Sequence, residues 1–450
     1  MRKKILSVLL VVAMLMMLVA CNAKVPEQTP TTEPEQVVEP EQTAPEETEE
    51  TPKEMAKLTV SGQVGDVAGY QKAQEALMNA LFPDVEVEWI TTDTNTREQV
   101  LKTAISAGDP PTVGFYWGTR LNAFSDIGMC LDLTPYFEQG YFDNVSNAML
   151  EPCLGDNGEV FGIPFSTVYH TVFYNKDMLD QYGFSIPKTW ADMTAIFETL
   201  KEDDIFGFTT NSASMQDCLY GISYAELEAK VGPGTAYGIA SGDVSVAPGS
   251  PAGEVLRGVI EQVKEWYDAG YWYPGEGGIN TTADDANAAF AQGRCMFIFN
   301  FSGAFATHES SCDFEIGTFL KPTSEAGMTS YENIEPSVYF IPANATEAQI
   351  NTAVEFFKVV LSQEGQQAVV DSNNLPAVTS YNYSNISPIL QQMMETLNTD
   401  SLIAGLNPTR TSSEMQTFIK QQIFAAPCGG TMTIDETLNE MERIRLASKQ

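Results

Sequence analysis

Trp117 and Arg120 set an indole and a guanidinium three residues apart at the end of the apolar stretch "PTVGFYW", with Tyr116 beside them. Two other stretches end on similar groups: Gln63 and Asp66 after "KLTVSG", and Asn300, Phe301 and Ser302 after "CMFIF". A flat aromatic face suits an apolar C–H surface, and burying it contributes a few kcal/mol. Side chains that donate and accept suit a rim of hydroxyls, each of which costs about 1–3 kcal/mol if left unpaired. The combination fits non-covalent capture of a polyhydroxylated ring. Trp117 is the expected stacking platform, and Gln63, Asp66, Arg120, Asn300 and Ser302 the polar rim. A core tryptophan is the competing reading of Trp117; its place at a strand end, before Gly118, favours the ligand. Asp217, in "NSASMQDCLYG", is a further candidate.

Bond-breaking chemistry has no comparable support. The sequence contains no H-E-x-x-H, no G-x-S-x-G and no Walker loop. His170 and His308 are the only histidines, and neither belongs to a cluster of metal-ligand residues. No catalytic residue, metal or cofactor is expected. The formal charge of −36 argues against nucleic acid, whose affinity rests on Lys and Arg neutralising phosphates. The first 57 residues hold 6 basic and 10 acidic side chains, so about −32 falls on the rest. That acidity is read as solubility. The cysteines other than Cys21 are scattered without a C-x-x-C and read as mostly free, buried thiols, with room for one bridge.

The N-terminus carries a different chemistry. Arg2, Lys3 and Lys4 precede an apolar run from Ile5 to Ala20 broken only by Ser7, the pattern of a secretory signal peptide over 1–20. In "LVACNAK" the run ends at Cys21 and resembles a bacterial lipoprotein processing signal, making Cys21 the expected lipid attachment site. A diacylglyceryl group brings two chains, enough for stable anchoring. Residues 22–57 contain six prolines and ten glutamates with little apolar content. Such a segment cannot bury enough surface to order itself, so 21–57 reads as a lipidated, disordered tether.

The elements that must position the candidate site alternate between periods. "KLTVSG" and "DVEVEWI" read as strands. Ala76, Leu77, Ala80 and Leu81 recur at helical spacing, as do Val100, Leu101, Ala104 and Ile105. "PTVGFYW" and "CMFIFNF" read as buried strands. Thr189 with Asp192 three residues on marks a helix start, and Asn344 with Glu347 marks another. Strands alternating with helices imply an α/β body with a mainly parallel sheet covered on both faces. In such sheets ligands bind at the carboxyl ends of strands, which is where Gln63, Asp66, Tyr116, Trp117, Arg120, Asn300, Phe301 and Ser302 fall.

The ordered set "LKTAISAGDPPTV", "GMCLDLTPYF", "GEVFGIPFSTVYHTVFYNKDML", "IPKTWADM", "AAFAQGRCMFIFNFSG", "AVEFFKVVLSQEGQQ" and "TIDETLNEM" resembles the extracellular solute-binding proteins, family 1, of carbohydrate ABC importers, which include maltodextrin-binding proteins. The resemblance spans nearly all of 58–450. It implies a two-lobed periplasmic-binding-protein-like type II fold, with lobe one at 58–165 plus 340–385 and lobe two at 166–339 plus 386–450. The first crossing between lobes would fall in 164–171, which brings Tyr169 and His170 toward the cleft. In "FNFSGAF", Phe301 replaces an indole often found there. Arg410, in "NPTRTSSEM", falls in a region that often supplies cleft residues. The implied function is capture of a sugar or oligosaccharide by a monomer and delivery to ABC permease subunits. The alternatives are the same scaffold binding a peptide or polyamine, and an adhesin or sensor lipoprotein without transport.

Overall fold

Leu58 and Val60 alternate onto one face and are fully buried in strand β1 (Leu58–Gln63). Helix α1 (Gly69–Leu81), β2 (Val87–Thr91), α2 (Arg97–Ser106) and β3 (Val113–Trp117) follow. The computed structural model describes residues 53–63, 67–93, 96–397, 402–403 and 412–448. The signal peptide, Cys21, most of the tether, Asp66 and Arg410 lie outside them. After β3 come β4 (Ile163–Asn175), α3 (Trp190–Glu202), β5 (Phe206–Thr210), the short α4 (Asp217–Tyr220), α5 (Pro251–Asp268), α6 (Ala283–Ala291) and β6 (Cys295–Phe301). Then α7 (Phe305–Ser311), β7 (Ile316–Phe319), β8 (Glu332–Phe340), α8 (Glu347–Leu361), α9 (Gln363–Asp371), β9 (Leu375–Pro376), β10 (Leu402–Ile403), α10 (Ser413–Gln421) and α11 (Ile434–Ala447) complete the principal elements.

The strands run in the order β2-β1-β3-β8-β4-β6-β5, with β7 and β9 on β4 and β10 on β8. Both flanks are parallel, β1 with β2 and β3, and β5 with β6. The centre departs from the expected parallel sheet: β8 runs antiparallel to β3 and β4, and β4 antiparallel to β6. The departure comes from β8, a return strand that no β–α–β unit delivers. β4 ties the two flanks together. Ile163–Tyr169 pairs with β8, whereas His170–Tyr174 pairs with β6 and Val172–Asn175 with β7. Residues 164–171, the expected crossing, lie within this strand. Two large cores result. One gathers Val60, Val113, Phe165, Tyr339 and Phe357. The other gathers Phe197, Phe208, Trp266, Phe297 and Met441.

Local chemistry explains the element ends. Thr189 caps α3 through the Asp192 amide, and the Asp192 carboxylate accepts from the Thr189 amide in return. Helix α8 does begin at Glu347, but its cap is Thr346, paired with Gln349; Asn344 instead donates to the Ile105 carbonyl. The inward face of α1 also differs from the apolar stripe. Leu81 is 64 % exposed, and Gln71, Gln74 and Met78 are the buried positions. The two amides are tolerated inside because their Nε2 groups are paired, although Gln74 Oε1 is left without a partner among the described residues. Gln71 Nε2 donates to Gln63 Oε1 at 2.7 Å and to the Tyr339 hydroxyl at 3.1 Å, and Gln74 donates to the Gly365 carbonyl. On α2, Val100 is exposed whereas Leu101 and Ile105 are buried. Gly62 closes β1 at φ +102°, and a Cβ there would lie 2.5 Å from the Phe115 carbonyl oxygen. Only glycine accommodates that register shift between Ser61 and Gln63.

Candidate ligand-binding site

A cleft of about 250 Å³ opens where several strand ends meet. Trp117, at the end of β3, and Arg120, in the turn after it, line one side together with Asn333 and Glu335 of β8. Val168 and His170 of β4 form the floor. Phe301, at the end of β6, faces them with Met215, Asp217, and Gln416 and Lys420 of α10. The strand-end rule thus locates both aromatic walls. A broader depression of about 690 Å³ is lined only by α2 and its C-cap residue, Glu98 to Ala107, and has no opposing wall.

Two guanidiniums bracket the first side. Arg97 Cζ lies 3.9 Å and Arg120 Cζ 4.4 Å from the Trp117 ring centroid, close enough for cation–π attraction. Arg97 is 1 % exposed, and burial lowers its pKa to about 10, so it stays charged at neutral pH. Its Nε and Nη1 have no hydrogen-bond partner among the described residues. Arg120 Nη2 stands 3.6 Å from Glu335 Oε1, and Arg120 Nε is buried without a partner.

The opposite side is held by Gln216. Its side chain donates to the Ser212 and Gln421 carbonyls and accepts the Phe424 and Ala425 amides. These bonds join the turn carrying Asp217 to the end of α10. Lys420 Nζ consequently sits 3.7 Å from Asp217 Oδ2. Asp217 Oδ1 is buried without a partner, and burial raises the carboxyl's pKa above the usual range. Burial, then the charges of Lys321 and Lys420, holds His170 well below the ordinary histidine range, so its ring is neutral. His170 Nδ1 also lacks a partner.

The structure therefore brings Trp117, Arg120, His170, Asp217 and Phe301 together around one cleft. Five other candidates turn elsewhere. Tyr116 donates its hydroxyl to Glu98 Oε2 at 2.8 Å. Gln63 accepts from Gln71 beneath α1. Tyr169 is 1 % exposed in the first core. Ser302 Oγ accepts the Tyr169 amide at 3.1 Å. Asn300 Oδ1 accepts the amide of Phe301, and its Nδ2 lies 3.4 Å from His308 Nε2. The aromatic loop at 267–278 does not reach the cleft: Trp272 is fully buried and stacked on Phe208. Glu335, Asn333, Gln416 and Lys420 are cleft residues that sequence reasoning missed. The period-two spacing of Val168 with His170 and of Asn333 with Glu335 was the available signal. The six cysteines at 130, 153, 218, 295, 312 and 428 are free thiols, all buried except the half-buried Cys312.

His308, behind Asn300, lies between the rings of Phe173 and Phe290, and burial lowers its pKa to about 4. Unfolded, a histidine titrates near 6.5. Between those values the unfolded chain binds a proton that the folded chain refuses. Stability therefore drops as pH falls through this window, by up to about 1.4 kcal/mol per unit for this group. Urea unfolding of His308→Gln at several pH values should show a shallower acid slope than the unaltered protein.

Residues 71–389 match the bacterial extracellular solute-binding protein family. The chain belongs to that family. The multiple sugar-binding protein of Streptococcus mutans is 22 % identical over 309 residues, covering 64 % of this chain and 68 % of the relative. Among solved structures, RafE from Streptococcus pneumoniae in its apo form superposes with a TM-score of 0.70 at 20 % identity, over 89 % of this chain and 100 % of that one. A chitin oligosaccharide binding protein gives 0.72 at 18 % identity, over 88 % and 99 %. At such identities the likeness carries the fold. This solute-binding protein accordingly has the two-lobed type II architecture, with β4 joining the two flanks of the sheet. Among its described residues no helix is long and apolar enough to cross a membrane.

Proposed function

We propose that this solute-binding protein captures a sugar or oligosaccharide in the cleft between Trp117 and Phe301. It delivers the solute to the membrane subunits of an ABC importer while a lipid on Cys21 holds it, as a monomer, at the outer face of the cell membrane. It acts by binding alone, without catalysis. The observation that carries this reading is the set of unpartnered polar atoms on the cleft walls: Arg120 Nε, His170 Nδ1 and Asp217 Oδ1. Each costs about 1–3 kcal/mol while buried and unpaired. Arg120 Nε donates, Asp217 Oδ1 accepts, and His170 Nδ1 does either according to its tautomer; set around two aromatic rings, they complement a ring rimmed with hydroxyls. The names of related proteins agree: a multiple sugar-binding protein, and RafE in complex with raffinose. A polyamine fits poorly, because Arg97, Arg120 and Lys420 would repel it.

The lobes proposed are 58–165 plus 340–385, and 166–339 plus 386–450. A solute touching Trp117 from one and Asp217 from the other favours closure by its differential affinity for the closed form. A Kd near 1 μM, about 8 kcal/mol, is a reasonable scale for a ring packed against Phe301 and the rim of Trp117, over which Arg97 and Arg120 already lie, with several hydrogen bonds. Thermal shift and calorimetry against a saccharide panel test the reading. At least one saccharide should stabilise the protein and quench or shift its indole fluorescence, since Trp117 lines the cleft whereas Trp190, Trp266 and Trp272 are buried and the half-buried Trp89 packs on Phe356 away from it. Trp117→Ala should weaken that saccharide by about tenfold or more. A response to peptides with none to any saccharide rejects the proposal.

A further inference from the structure

The protein carries a formal charge of −36, yet the cleft gathers cations. Arg120 and Lys420 line it, and Arg97 lies against the Trp117 ring from the protein side. The facing carboxylates, Glu335 and Asp217, stand 3.6 Å and 3.7 Å from Arg120 and Lys420, too far for hydrogen bonds. Arg97 makes no ion pair among the described residues, and two of its donors are unpartnered although it is 1 % exposed. Lys321 and Glu332 neutralise each other below the cleft. Among the described residues, three cations against two carboxylates leave a surplus of one positive charge. A buried guanidinium without a counter-ion is costly, and the rings of Phe115, Tyr116 and Trp117 around Arg97 offset only part of that cost.

The surplus is also one-sided. Unpartnered donors, on Arg97 and Arg120, stand with Trp117; an unpartnered acceptor, Asp217 Oδ1, stands across from it beside His170 Nδ1, which donates or accepts according to its tautomer. A neutral sugar satisfies Asp217 and His170 with its hydroxyls and leaves the cations uncompensated. A phosphorylated sugar brings a dianion that Glu335 and Asp217 oppose. A single carboxylate matches both the sign and the size of the imbalance, and its planar pair of oxygens matches a guanidinium edge.

Resting on the cleft being the solute site, we infer that its preferred solute is a saccharide bearing a carboxylate, a uronic acid unit, whose carboxylate docks on Arg120 beside Trp117. Arg97 adds attraction through the field it sets up behind the ring, and the hydroxyls turn toward Asp217 and His170.

Calorimetry with uronate oligomers and neutral oligomers of the same ring configuration and linkage tests this, each at low and high salt. Uronates should bind about tenfold or more tightly than their neutral counterparts, and the gap should narrow as salt rises. Arg120→Gln should collapse the ratio of uronate to neutral affinity toward one. Arg97→Gln should reduce the same ratio by a smaller factor; because Arg97 is buried, the half-exposed Arg120 carries the test if that variant does not fold. A neutral oligomer binding as tightly as its uronate overturns the inference and leaves sugar capture standing. Tighter binding of a sugar phosphate than of any uronate overturns the assignment to a carboxylate. Silence toward every saccharide instead removes the proposed function itself.

Discussion

Lys321→Met should lower the free energy of unfolding by about 3–5 kcal/mol, the usual cost of breaking a buried ion pair by removing one partner. Lys321 and Glu332 are 1 % and 0 % exposed, and the Lys321 Nζ contacts the Glu332 carboxylate directly. Glu332 also accepts the Lys321 amide at 2.7 Å. Even with the lysine present, burial raises the Glu332 pKa. Without it the carboxylate faces burial with one amide as company. An acid whose folded pKa is raised gains relative stability as pH falls. The defect of Lys321→Met should therefore be full at neutral pH and shrink toward pH 4. Replacing both partners, Lys321→Met with Glu332→Leu, should recover most of the loss, since apolar groups of similar volume often match a buried pair. Chemical denaturation of the single and double variants at neutral and acid pH checks all three points; a single-variant loss under about 1 kcal/mol would show that water already reaches the pair.

Asp217→Asn should weaken solute binding by about 10- to 100-fold, because hydrogen bonds to charged groups contribute about 1.5–3 kcal/mol each. The same change should leave the empty protein at least as stable as before. Asp217 is 4 % exposed, its Oδ1 has no partner, and Lys420 stands too far away to bond it. Lys420 and the amides of its own turn compensate the carboxylate only in part, and the orphaned Oδ1 costs the unliganded fold energy that a ligand can return. Affinity lost while stability holds or rises is the signature of a residue placed for binding. A fall in melting temperature with affinity intact would assign Asp217 a structural role instead. Titration calorimetry and thermal denaturation on the same preparation separate the two.

What the sequence made legible followed from short-range chemistry. Thr189 and Asp192 announce a helix start because a capping box is local. Trp117 and Phe301 announce a cleft because strand ends in α/β sheets face one. The inward face of α1 was hidden, since Gln71 and Gln74 are buried through partners at 63, 339 and 365 that no local pattern reveals. The polarity of the cleft was hidden for the same reason. Lys420 meets Asp217 only because Gln216 ties two segments some two hundred residues apart. Arg97 carries no signal in the sequence, and its position against the Trp117 ring emerges only once β3 and α2 pack. Tyr116, next to Trp117 in sequence, packs against the same Arg97 but spends its hydroxyl on Glu98 of α2 and does not line the cleft.

The antiparallel pairing of β4 with β8, from Ile163 opposite Tyr339 to Tyr169 opposite Ile334, has a mechanical consequence. A two-stranded ribbon flexes readily across its flat face, yet sliding one strand along the other breaks every rung at once. A swing of the two flanks, if solute drives one, would thus be channelled into a book-like rotation about a fixed axis, much as a leaf spring permits bending and forbids shear. The two walls of the cleft would then meet again in the same alignment.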